Sequence, residues 1–140
     1  MRWIALLLAA ASATAATPEA GERELHTTDC IAALDVKARD LARQVKAGQP
    51  ELRPSLLATL DAGAAFIGHA YLRGERDEAR SQALLDAALQ AQKTLSDGEL
   101  AARQAACLQE GAQLLSQTDF IGRAVISRLA QRRMERLLGD

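Results

Sequence analysis

Two cysteines, two histidines and scattered serines and carboxylates are the side chains through which this chain could do covalent, redox or metal chemistry. Cys30 and Cys107 are far apart in sequence, and no Cys-x-x-Cys is present to lower a thiol pKa. They are expected to form a structural disulfide. Such a bridge would close a loop of about 77 residues and, on chain-entropy grounds, stabilise the fold by roughly 4–5 kcal/mol. The histidines, His26 and His69, stand in no His-x-x-x-His or Glu-x-x-His setting, and Cys-x-x-Cys-His is absent. Each reads as a lone surface histidine, so no metal and no cofactor is expected.

Nucleophilic chemistry has as little support. Ser55, Ser81, Ser96, Ser116 and Ser127 lack a Gly-x-Ser-x-Gly setting, and no Gly-rich phosphate loop occurs. The paired carboxylates at Asp77-Glu78 and at Asp97 and Glu99 fall where first helical turns are expected, and there acids complement the helix dipole. Cleavage of a wall polymer by two acids requires only that they meet in space. The aromatic platforms that frame a sugar are scarce, however: beyond Trp3 the chain holds only Phe66, Tyr71 and Phe120. A non-catalytic protein is the expectation.

One surface does stand out. Arg128, Arg132 and Arg136 recur every four residues along the last predicted helix, with Arg133 at their boundary and Ile126, Ala130, Met134 and Leu137 opposite. Basic side chains also suit a helix C-terminus, which by itself accounts for part of the ladder. The four arginines are the candidate partner-binding residues, for an acidic protein surface or an anionic membrane. The earlier half of that helix, with Phe120, Ile121, Val125 and Ile126, is apolar enough to be expected in the core. Between Glu75 and Glu110 the chain has a mild acidic excess.

The elements that must position these residues follow from periodicity and punctuation. At 140 residues, 49% hydrophobic, with 17 basic against 18 acidic groups, the chain is long enough for one domain with a genuine core. A net charge of -1 argues against nucleic acid as a partner. Met1-Arg2, the apolar run Trp3 to Ala11 and the small-x-small Ala13-Thr14-Ala15 read as a cleaved signal peptide over residues 1–15. The run is too short to span a bilayer, which takes about 20 residues. Residues 16–26, with Pro18 and Gly21, are expected as a flexible lead-in, and 27–140 as a helical bundle domain.

Within that domain Thr27 or Thr28 offers an N-cap for a first helix whose inward stripe is Cys30, Ile31, Leu34, Ala38, Leu41 and Val45, ended by Gly48 and Pro50. Pro54 opens a second, with Leu56, Leu57, Leu60, Ala64, Ile67 and Tyr71 inward, closed by Gly74. A third runs from about Asp77 to Leu95, with Leu84, Ala88, Ala91 and Leu95 inward. Ser96 and Glu99 form a Ser-x-x-Glu capping box for the fourth, whose core face holds Leu100, Cys107, Leu108, Gly111, Leu114 and Leu115. Thr118 or Asp119 caps the fifth, which continues to about Leu138. No window alternates as a half-buried strand does. The expectation is therefore an all-α, single five-helix bundle with helices one and four joined by a disulfide. In function it is expected to be a small exported, periplasmic or secreted, binding protein of inhibitor, immunity or accessory type with a protein partner in the envelope. The alternative is a structural or stress-protective envelope component that touches anionic membrane through its basic C-terminal helix.

Overall fold

The computed structural model describes residues 18–139; the expected signal peptide lies outside them. Among the described residues the chain is all-α: α1 (Pro18–Lys46), a 3-10 turn (Pro50–Leu52), α2 (Arg53–Leu72), α3 (Glu78–Gln92), α4 (Asp97–Gln117) and α5 (Phe120–Leu138). The stops and starts are chemical. Gly48 has φ +109°, a left-handed conformation that glycine adopts without penalty, and it turns the chain out of α1. Pro54 occupies the first turn of α2, where its missing N–H leaves no gap in the ladder. Asp77 caps α3 by accepting from the Arg80 amide, and Asp119 caps α5 by accepting from Gly122. Ser96 and Glu99 make the reciprocal capping box of α4.

Two expectations about the N-terminal part are corrected. Residues 18–26, expected as a flexible lead-in, are helical, so the first helix begins at Pro18 and not at a Thr27 or Thr28 cap. The reason is tertiary. Glu24 accepts two hydrogen bonds of 2.7 Å from the Arg80 guanidinium on α3, and His26 Nε2 lies 2.7 Å from Glu110 Oε2 on α4. The threonines serve elsewhere: Thr28 donates back to the Glu24 carbonyl, and buried Thr27 accepts from Arg73.

α1 is the axis of the fold, in contact with all four other helices. Its buried face carries Ala32, Ala33, Ala38 and Ala42 between the larger Cys30, Leu34, Leu41 and Val45, and those small side chains let several neighbours approach one helix. α2 lies beside it and in turn receives α4 and α5, while α3 packs on α1. The core accordingly has two centres. One joins Ala38, Leu41, Ala42, Val45, Leu56, Met134 and Leu138 of α1, α2 and α5. The other joins Cys30, Ala33, Leu34, Ala62, Phe66 and Cys107 of α1, α2 and α4, and the Cys30–Cys107 disulfide passes through it with its Cα atoms 5.2 Å apart. The disulfide thus staples α1 to α4, as expected from the sequence.

Three inward stripes are also corrected. On α2 the buried residues are Leu56, Thr59, Ala62, Ala65 and Phe66, so the helix is rolled relative to the expected face and leaves Ile67 and Tyr71 exposed. On α3 Gln92 is buried where Ala91 was expected, and its amide donates to the Asp29 carbonyl at 3.0 Å. On α5 Phe120, Ile121 and Val125 are exposed, the first at 80%, while Ile126, Ala130 and Met134 lie inside.

Candidate functional site

The rolled α2 and the stretch of α5 from Val125 to Arg136 bound one groove. Ile31 and Leu34 of α1 form its floor. Thr59, Leu60, Gly63, Ala64, Ile67, Gly68 and Tyr71 line the α2 wall; Val125, Ile126, Leu129, Ala130, Arg133 and Arg136 line the α5 wall. The space is about 490 Å³, within the range of sites that hold a ligand or a side-chain cluster of a partner. It is the trough left where α2 and α5 both pack on α1, and on α5 it runs from Val125 to Arg136. The small residues Gly63, Ala64 and Gly68, which could have let a neighbour close in on α2, face this open space. Their role is depth: a Cβ on Gly68 would meet only Ile126 Cδ1, at 3.9 Å.

The two ends of the groove differ. At one, Tyr71 stands half exposed with the Arg76 guanidinium over its ring, 4.2 Å from the centroid. At the other, Arg133 reaches across to Asp35 on α1, Nη2 to Oδ1 at 3.3 Å, beside Arg136. Around the apolar middle, Leu72, Phe120, Ile121 and Leu129 remain more than half exposed, so the surface extends past the groove itself.

The four arginines singled out from the sequence are thereby divided. Arg133 and Arg136 belong to the basic end of the groove, Arg133 with a carboxylate already in place. Arg128 and Arg132 are exposed on the outer flank of α5 and line none of it. Ile67, Tyr71 and Val125, expected in the core, line the site instead, and Leu129 joins them without having been singled out; helical period puts residues on a stripe but does not tell whether a neighbour covers it.

The two histidines are not isolated. His69 Nε2 lies 3.3 Å from Thr118 Oγ1 and ties α2 to the α4–α5 junction. His26 faces Glu110 and also lies 3.8 Å from Cys30 Sγ. The signal for this cluster is present in the sequence as two helical spacings, His26-x-x-x-Cys30 and Cys107-x-x-Glu110, which neither a histidine-only nor a cysteine-only motif brings out. Outside the groove, Asp61 is half-buried on α2, and its Oδ1 is buried with no hydrogen-bond partner among the described residues. Burial pushes its carboxyl above the ordinary aspartate range. The paired carboxylates Asp77-Glu78 and Asp97/Glu99 serve helix starts, as Asp77 and the Ser96–Glu99 box make clear.

Compared with protein-family models, curated proteins and solved structures, the chain matches none. The site must therefore be read from its own chemistry. It offers apolar surface in a trough between two helices, with a basic end.

Proposed function

We propose that this is an exported, non-catalytic binding protein that acts outside the cytosol by holding another protein in the α2–α5 groove, as an inhibitor, an immunity protein or an accessory protein of the envelope would. One observation carries the reading: Ile67, Tyr71, Val125 and Leu129 stand exposed on two facing helix walls above a floor set by α1. A trough of this form takes an amphipathic helix, whose apolar face fills the middle and whose acidic residue meets Arg136 and the outer Arg132. Export is supported by the leader-like start of the sequence and by the disulfide, which persists in oxidising compartments. No helix among the described residues is long and apolar enough to cross a membrane.

The test is a photo-crosslinking amino acid placed at Leu129, at Val125 and, as a control on the far surface, at Ala105. The reading requires one discrete protein adduct from the first two positions and none from the third. It also requires that Leu129→Glu abolish the adduct.

A second reading has its own observation: Arg128 and Arg132 are exposed on the same helix as exposed Phe120, Ile121 and Leu129. That arrangement also suits an anionic membrane surface, with apolar side chains in the acyl boundary and arginines at the head groups. Flotation with anionic but not neutral vesicles, lost in Arg132→Glu, with no protein adduct, would favour it over the first.

A further inference from the structure

His26 and Cys30 are one helical turn apart on α1, and Cys107 and Glu110 one turn apart on α4. The disulfide sets the two pairs face to face. His26 Nε2, Cys30 Sγ and a Glu110 carboxylate oxygen lie within 4.8 Å of one another, and Cys107 Sγ is bonded to Cys30. We propose that opening the disulfide converts this place into a tetrahedral zinc site with His26, Cys30, Cys107 and Glu110 as its four ligands.

The chemistry of the donor set fits. One imidazole, two thiolates and one carboxylate are ligands zinc accepts, at roughly 2.0–2.3 Å, so a shared ion holds its donor atoms about 3.5 Å apart. The His26–Cys30 separation of 3.8 Å is already close to that, and the His26–Glu110 separation of 2.7 Å must widen by under an ångström. The two sulfurs must also part, and breaking their bond is what permits it. The ion has a way in: the His26 and Glu110 side chains are 57% and 42% exposed, whereas the sulfurs lie behind them in the core. The donors come two from each of two packed helices, at i,i+4 and i,i+3 spacing, so each pair already shares one helix face.

The conversion balances with a dithiol as reductant. Two electrons from the dithiol reduce the Cys30–Cys107 bond to two thiols while the dithiol becomes a disulfide. Zn²⁺ then binds as two thiolates form and two protons leave. Oxidised, the pair staples α1 to α4 covalently; reduced, the ion takes over the same link. The chain would thus keep its α1–α4 contact on both sides of a redox change.

The full chain, reduced without oxygen and freed of reductant, is titrated with Co²⁺ and then Zn²⁺. Expected is one Co²⁺ per chain, with thiolate charge-transfer and tetrahedral ligand-field absorption that Zn²⁺ abolishes. The oxidised protein should give none of these bands. His26→Ala and Glu110→Gln should each weaken binding by about tenfold or more, since even groups that merely support a metal's ligands cost that much. Equal affinities and spectra in the reduced wild type and both variants would mean that the cysteines bind metal unaided, and would overturn the proposal. Should reduction lower the helical dichroism, Zn²⁺ must restore it in the wild type and less completely in Glu110→Gln; no restoration overturns the proposal equally.

Discussion

Gly111 on α4 lies so close to Ala62 on α2 that a Cβ at position 111 would sit 2.6 Å from the Ala62 Cβ and 2.8 Å from its carbonyl oxygen. The helices cross there backbone to backbone, next to the disulfide-centred core. Because backbone atoms are among those in the way, no rotamer change can relieve the overlap. Gly111→Ala therefore forces the helices apart, at a cost of about 1–3 kcal/mol for overpacking, partly offset by up to about 1 kcal/mol of better helix propensity. A urea melt should show a lower midpoint for this variant than for wild type; an unchanged or higher midpoint would show that the crossing is looser than described.

Two nearby positions on α5 should behave in opposite ways. Ile126 is buried and Val125 exposed, as is Leu129 one turn on. Ile126→Ala should cost about 2–5 kcal/mol of stability. Leu129→Glu should change stability by no more than about 0.5 kcal/mol, as exposed positions do, while removing partner capture. Thermal melts and crosslinking on the same two proteins separate a packing role from a binding role.

The segment from Gly21 to His26 is held to the rest by charge. The two hydrogen bonds from the Arg80 guanidinium, helped by its charge, hold the Glu24 carboxyl below the usual glutamate range. A carboxyl with a depressed folded pKa stabilises the fold above its unfolded pKa, and that contribution fades as pH falls through the folded value. Glu24→Gln should therefore destabilise at neutral pH and match wild type in strong acid. Amide exchange in residues 21–26 should quicken in the variant at pH 7, and no difference there would contradict the role given to the pair.

Asp61 should show the reverse sign. Its carboxyl is raised by burial, so the unfolded chain ionises first and stability falls as pH rises from the ordinary aspartate range through the raised folded value. Asp61→Asn removes the buried charge. It should be more stable than wild type at pH 7, and the advantage should shrink as pH drops below the aspartate range. Denaturant midpoints measured across pH check both the sign and the window.

Replacing both cysteines by serine removes the α1–α4 staple. The loss expected on chain-entropy grounds is roughly 4–5 kcal/mol for a loop of this length. The measurement is the urea midpoint of the double variant in the presence of a chelator, so that bound metal cannot compensate.

Much of the architecture is local in origin and legible in the sequence. Glycine at 48, proline at 54, the Ser96–Glu99 box and Asp119 act over a few residues, so type and spacing suffice to place the helix ends. The cysteine pairing was legible too, since each cysteine fell on a core-facing stripe of its own helix. What the sequence could not decide is which stripe finds a neighbour. Leu56 and Ile67 look alike in a helical wheel, yet one is in the core with Met134 and Leu138 of α5 and the other forms a wall of the groove, because the space beside Ile67 is left open. Likewise nothing near residues 18–26 announces a helix; Arg80 and Glu110, far along the chain, hold it. Capping and periodicity act within a turn or two, whereas covering an apolar face or pairing a charge depends on how separate helices pack. Most helix ends and the core-facing placement of the two cysteines were therefore set by sequence, while the inner faces of α2, α3 and the start of α5, the open groove and the His26–Glu110 contact beside the disulfide were decided by tertiary structure.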